Sequence, residues 1–136
     1  MGVEVNLLRV LIAAVAANII GFIWYSPKVF GTMWIKLSEI TPAKIAASKR
    51  KGMGKIYATG FVSTVIIAYV LGLFMSLTDS KTIVGALLIG LLVWLGFIAT
   101  TMLGMVLWES KPVKLYLINV LHYLVSILVM AVILVY

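Results

Sequence analysis

Four long stretches of this sequence carry almost no charge, and that constrains the fold more than any motif. They are Val5–Tyr25 (21 residues, interrupted only by Arg9), Ile56–Thr78 (23), Thr82–Trp108 (27) and Leu115–Tyr136 (22). An α-helix needs about 20 residues, at about 1.5 Å each, to cross about 30 Å of hydrocarbon. Each run meets that length. A membrane β-barrel would instead show alternating segments of about ten residues. Composition closes the water-soluble alternatives: 64% of the 136 residues are apolar and 11% charged, against about 45–50% and about a quarter in a soluble domain. A soluble chain of this size has too little interior to hide so much apolar surface, which excludes a cytosolic enzyme, a secreted disulfide scaffold and a disordered tail. The expected fold is an all-α integral membrane four-helix bundle with a short interfacial amphipathic helix between the first two spans. It forms a single transmembrane domain over 1–136, with spans near 5–25, 56–78, 82–108 and 114–136.

The first span is expected to be a retained helix rather than a secretory signal, because its apolar stretch exceeds about 15 residues and its positive charges follow it. Asn6 stands where an N-myristoylation motif at Met1-Gly2 would need Ser or Thr. The absence of cysteine excludes disulfides, thiolate metal sites and cysteine nucleophiles.

Charge sets the expected orientation. The segment 26–55 carries Lys28, Lys36, Lys44, Lys49, Arg50, Lys51 and Lys55, and the third connection adds Lys111 and Lys114. Only Arg9 and Lys81 fall on the other side. Short basic loops stay cytoplasmic, so both termini are expected outside a cell membrane. Lys44, Lys49, Arg50, Lys51 and Lys55 are candidate contacts for anionic lipid headgroups, each charge worth about 1 kcal/mol near the surface. No aromatic platform interrupts Ser48–Lys51, so nucleic acid is not an expected partner.

Within the basic segment, Ser26-Pro27 reads as an N-cap followed by proline at the first helical position. Phe30, Met33, Trp34 and Leu37 then fall at i, i+3, i+4, i+7, as in a helix lying in the headgroup layer with its aromatics down. Thr41-Pro42 starts a second short helix, ended by Gly52 and Gly54. For packing, small residues four apart let backbones approach within a bilayer. They occur as Ala13, Ala17, Gly21 in the first span, Gly60, Thr64, Ala68, Gly72, Ser76 in the second, and Gly96, Thr100, Gly104 in the third. Intramolecular packing uses such stripes, and the five-residue one would also serve a homo-oligomer.

Polar residues inside the spans are few. Asn18, Ser63, Thr64, Thr100, Thr101, Asn119 and His122 fall roughly 7–14 Å below the cytoplasmic helix ends. On the last span Tyr116, Asn119, His122, Tyr123 and Ser126 share a face. Buried polar groups require partners in hydrocarbon. This layer reads either as interhelical hydrogen bonding or as a polar cavity, with His122 the one side chain whose ordinary pKa lies near neutrality. A lone histidine is a poor metal site, and no cofactor is expected. Arg9 is placed to snorkel toward Glu4, Asp79 or the Tyr136 carboxylate, and Glu109 to pair with Lys111, Lys114 or a lysine of 26–55. Trp24, Tyr25, Trp34 and Trp108 suit an aromatic belt. Residues 21–28 are echoed with gaps in 104–114, as in a parallel two-plus-two repeat.

The run Trp24-Tyr25-Ser26-Pro27, then Phe30-Gly31 and Trp34, with Gly96-Phe97, Glu109, Pro112 and Leu117-Ile118-Asn119, resembles a family of small prokaryotic membrane proteins known as domain of unknown function 1761. The resemblance covers nearly the whole chain and implies a four-helix membrane protein, without an activity. Val120-Leu121-His122-Tyr123 departs from it, since the family tends toward a small residue and glycine before this tyrosine.

No nucleophile elbow, phosphate-binding loop, metal-ligand cluster or intramembrane carboxylate pair is present in the sequence. A non-enzyme is therefore expected. Its first reading is transport or permeation of a small solute or ion through the polar layer. The alternative is a non-catalytic membrane organiser that binds lipid or a partner through its basic segment.

Overall fold

A computed structural model describes residues 3–135. The readings that rest on Met1-Gly2 and on the Tyr136 carboxylate lie outside the described residues. The described residues form six helical elements and no strand. Four are long and apolar enough to cross a membrane: α1 (Leu7–Trp24), α4 (Met53–Leu77), α5 (Ile83–Leu107) and α6 (Val113–Val135). Between α1 and α4 lie two short helices, α2 (Gly31–Leu37) and α3 (Pro42–Lys51).

Local chemistry explains where these helices start and stop. The Asn6 side chain accepts from the Leu8 and Arg9 amides at 3.0 and 3.2 Å and caps α1. Thr41 caps α3 ahead of Pro42, and Thr82 caps α5. Three non-glycine residues take left-handed backbone just past helix ends: Glu39 (φ 56°) after α2, Asp79 (φ 52°) after α4 and Ser110 (φ 55°) after α5. At the first two, the following amide reaches back five residues, Ile40 to the Ile35 carbonyl and Ser80 to the Met75 carbonyl, which satisfies carbonyls left open at a helix end. Gly52 (φ 100°) makes the sharp joint between α3 and α4. Gly54, expected to help end α3, lies instead in the first turn of α4.

The spans run antiparallel in succession. Last in the chain, α6 is central: it packs on α1, on the first half of α5 and on α4, while α4 and α5 barely meet. The core lies in the half away from the basic segment, where Val10, Ala13 and Ala17 of α1 meet Ala68, Leu71 and Met75 of α4 and Ile127, Met130 and Ala131 of α6. Small residues therefore do bring backbones together, but only part of the stripes expected in the second and third spans is used. In α4, Ala68 and Gly72 are buried, and a Cβ on Gly72 would come within 3.1 Å of Val5. Gly60 faces open space. In the third span Gly96 also faces open space, and the packing is carried by Ala86 and Gly90. Gly96 stands six residues past Gly90 and is off that face at about 3.6 residues per turn. A π-helical segment, Trp94–Ala99, lies there, and its wider turn shifts the phase of Thr100 and Gly104 beyond it. Beyond it α5 stays irregular, with Thr100–Met102 and Gly104–Leu107 as separate short turns.

The interfacial helix starts later than expected. Pro27 lies in a run of turns, and Ser26 closes α1 rather than opening α2: its hydroxyl donates to the Ile23 carbonyl at 2.7 Å. Serine hydroxyls reach back to helix carbonyls as readily as they cap amides.

Candidate functional site

The end of the bundle nearer the basic segment holds a cluster of rings around His122. Tyr25 and Tyr123 lie 5.1 and 5.0 Å from it, centroid to centroid, and Trp24 lies 6.2 Å away. The Tyr25 hydroxyl donates to Asn119 Oδ1 at 2.8 Å. The Trp24 indole N–H donates to the Ile118 carbonyl at 2.9 Å. A Cβ on Gly21 would sit 3.3 Å from His122 Nε2, so the smallest side chain of α1 admits the imidazole. Ser126 Oγ lies 3.4 Å from that nitrogen, and His122 Nδ1 is buried without a hydrogen-bond partner among the described residues. The cluster is tightly packed and aromatic.

The turn after α1 extends the cluster outward. The Ser26 carbonyl accepts from the Val29 and Gly31 amides, and the Phe30 amide donates to the Trp24 carbonyl. This folds the chain back so tightly that a Cβ on Gly31 would come within 2.2 Å of the Tyr25 carbonyl oxygen. Glycine is a steric requirement there. The fold-back sets Phe30 on Trp24 at 4.8 Å and Trp34 against Tyr25 at 5.3 Å. The aromatics of α2 thus dock on the protein's own rings, while Met33 remains 45% exposed.

The expected polar layer divides. Asn119 and His122 join this cluster. Asn18 donates to the Ala14 carbonyl, Ser63 to Thr59, Thr64 to Gly60 and Thr100 to Gly96, each within its own helix. Thr101 is exposed in a groove beside α6 that Asn119 also lines. A hydroxyl on a helix finds the carbonyl four residues back more cheaply than one on a neighbour, which equal depth cannot reveal. Among the described residues no group of three His, Cys, Asp or Glu side chains could hold a metal ion.

Two donors tie α5 to α6: Trp94, which the sequence reading passed over, and Tyr116 from the polar face of the last span. Trp94 opens the π-helical segment and donates its indole N–H to the Val120 carbonyl at 2.7 Å. At the segment's other end the Ala99 carbonyl accepts from the Tyr116 hydroxyl at 2.7 Å. The available signal was Trp94 itself, an indole N–H too deep for the interfacial belt and therefore in need of a partner. Trp108, expected to echo Trp24, is 86% exposed, so the two repeat-like segments are not structural equivalents.

Charged groups pair differently from expectation. Arg9 donates to the Ile133 carbonyl at 3.0 Å, where open carbonyls at a helix C-terminus favour a cation. Asp79 pairs with Lys81 at 3.0 Å, the one ion pair among the described residues. Glu109 consequently has none there. In segment 26–55, Lys44 Nζ donates to the Glu39 carbonyl, and Lys49, Arg50, Lys51 and Lys55 are exposed.

Four apolar spans held by indole and phenol hydrogen bonds, with an ordered basic segment between the first two, define a multi-pass membrane protein. The family model for the protein of unknown function DUF1761 matches residues 8–135. The chain belongs to that family. No curated protein and no solved structure matches it.

Proposed function

We propose that this protein is a non-catalytic membrane organiser, whose bundle holds a basic interfacial platform against anionic lipid headgroups at the cytoplasmic face. The observation that carries this reading is the state of α3. It has no buried residue, and its Lys49, Arg50 and Lys51 form no ion pair among the described residues. Yet the segment is anchored, through the Gly31 fold-back and the Phe30 and Trp34 ring contacts. Exposed cations held near an interface attract anionic headgroups, and preorganisation reduces the ordering cost of binding them. On this reading the basic segment and Lys111 and Lys114 lie inside, and both termini lie outside.

Transport through the polar layer needs a lined path at the level of Asn119 and His122. The packing of Gly21 on His122 supports a closed seam beside that histidine, and the hydroxyls of Ser63, Thr64 and Thr100 are spent within their own helices rather than on a path. The test is boundary-lipid selectivity after reconstitution, read with spin-labelled phosphatidylglycerol and phosphatidylcholine. Selectivity for the anionic lipid should fall when Lys49, Arg50 and Lys51 are changed together to Gln, and should weaken with salt. Unchanged selectivity in that variant, or solute flux that survives it, sinks the organiser reading.

A further inference from the structure

At the end of the bundle away from the basic segment, a groove of about 440 Å³ opens between α1 and α6, within the roughly 300–1,000 Å³ of ligand sites. Asn6, Leu8, Arg9 and Ile12 line it from α1 and its cap, Val132 and Ile133 from α6. Both polar side chains present donors. Asn6 Oδ1 is taken up by the Leu8 and Arg9 amides, so the amide orientation is set and the Nδ2 hydrogens are left for an outside acceptor. Arg9 Nη1 donates to the Ile133 carbonyl at 3.0 Å, the one protein acceptor for this guanidinium among the described residues. No carboxylate there forms an ion pair with it: Asp79 is bound to Lys81, and Glu4 lines a different cleft, against Ser76 of α4. The first-turn amides of α1 add the positive end of a helix dipole. A cation at the edge of hydrocarbon favours an anionic partner, and a guanidinium offers paired N–H donors that match phosphate oxygens.

Depth decides which anion fits. From the end of the bundle inward, α1 presents Asn6, then Leu8 and Arg9, then Ile12 about one turn below. Antiparallel α6 presents Ile133, bonded to Arg9, and then Val132. The donors therefore stand at the mouth, and apolar side chains continue toward the membrane interior. A free phosphate would meet the donors and leave the apolar walls uncovered, whereas a phospholipid covers both. No carboxylate lines the groove to receive an ammonium, which favours a lipid of net negative charge. We infer that this groove binds one anionic phospholipid of the leaflet opposite the basic segment, with its phosphate on Arg9 and Asn6 and an acyl chain along Ile12 and Val132. The site lies at the other end of the spans from α3 and does not depend on its lysines.

Arg9 and Arg50 are the two arginines of the chain. The full chain with Lys49→Gln, Arg50→Gln and Lys51→Gln therefore keeps Arg9 as its one arginine and lacks those charges of α3, so failure of this site is distinct from failure of the organiser reading. With isotope-labelled arginine, and in bilayers of phosphatidylglycerol and phosphatidylcholine with identical acyl chains, solid-state NMR should show dipolar coupling between the guanidinium nitrogens and the phosphatidylglycerol phosphorus. In a non-ionic detergent, native mass spectrometry should find this chain retaining one phosphatidylglycerol several-fold more than phosphatidylcholine. Arg9→Gln, which can still donate to the Ile133 carbonyl, should abolish that preference. Ile12→Trp should lower retention several-fold with the arginine intact, because it fills the groove from a position 49% exposed and outside the core. Equal retention of the two lipids overturns the site, as does a preference that survives Arg9→Gln. Coupling and retention that both persist in Ile12→Trp would reduce Arg9 to a side chain snorkelling into the headgroup layer and equally overturn the groove.

Discussion

Gly31 shows what a single residue does in this structure. A methyl group there would overlap the Tyr25 carbonyl, which is backbone and held by the fold-back. Gly31→Ala should therefore cost the upper end of the ~1–3 kcal/mol typical of overpacking, read as a lower thermal midpoint in detergent. Gly60→Ala, on open helix surface, should leave the midpoint unchanged or raise it, by up to ~1 kcal/mol of helix propensity. Tyr25→Phe leaves Asn119 Oδ1 without its donor and should cost about 1–3 kcal/mol. The cost should shrink in an Asn119→Leu background, a coupling that a double-mutant cycle measures. The sequence marked Tyr25, Gly31, Asn119 and His122 as members of notable runs. Their mutual contacts were not legible, because a contact depends on how two helices rotate against one another, and depth along each helix does not fix rotation.

Among the elements, α5 departs furthest from its sequence pattern. Its length and apolarity were plain in an uncharged run of 27 residues, but nothing in WLGFIA signals a π-helical turn, since the same residues suit an α-helix. The turn is held from outside, by Trp94 at one end and Tyr116 at the other. Trp94→Phe combined with Tyr116→Phe should then relax Trp94–Ala99 toward α-helix and return Gly104 to the face that packs on α6. Carbonyl–amide couplings in solid-state NMR of labelled protein would show this as a change from five- to four-residue spacing. If five-residue spacing persists in the double variant, the tethers do not cause the π segment. The short helices divide similarly. The start of α3 was legible from Thr41-Pro42, a local cap, whereas α2 begins four residues after Pro27 because Ser26 serves the end of α1.

For the whole molecule, the four spans were legible because hydrophobic length is additive along a chain. The central position of α6 was not, because order in sequence says nothing about order in space. The lack of cysteine makes orientation directly measurable. A cysteine at Lys49 should be shielded from a membrane-impermeant maleimide in intact cells, and one at Lys81 should be labelled. The reverse pattern would invert the proposed topology.

The hub of this bundle is synthesised after the three spans that pack around it. Trp24, Trp94 and Arg9 each donate to a carbonyl of α6, and the Tyr116 hydroxyl that closes the π segment belongs to it. Until the ribosome releases residues 113–135, the earlier spans hold indole and guanidinium donors with no acceptor in place. Assembly therefore waits for the fourth span rather than closing span by span, and quality control can read an unfinished chain by those open donors. A chain stopped after Ser110 should insert three spans and yet be degraded much faster than the full protein. Supplying α6 as a separate peptide should lengthen its half-life, and no rescue would show that the hub is dispensable for biogenesis.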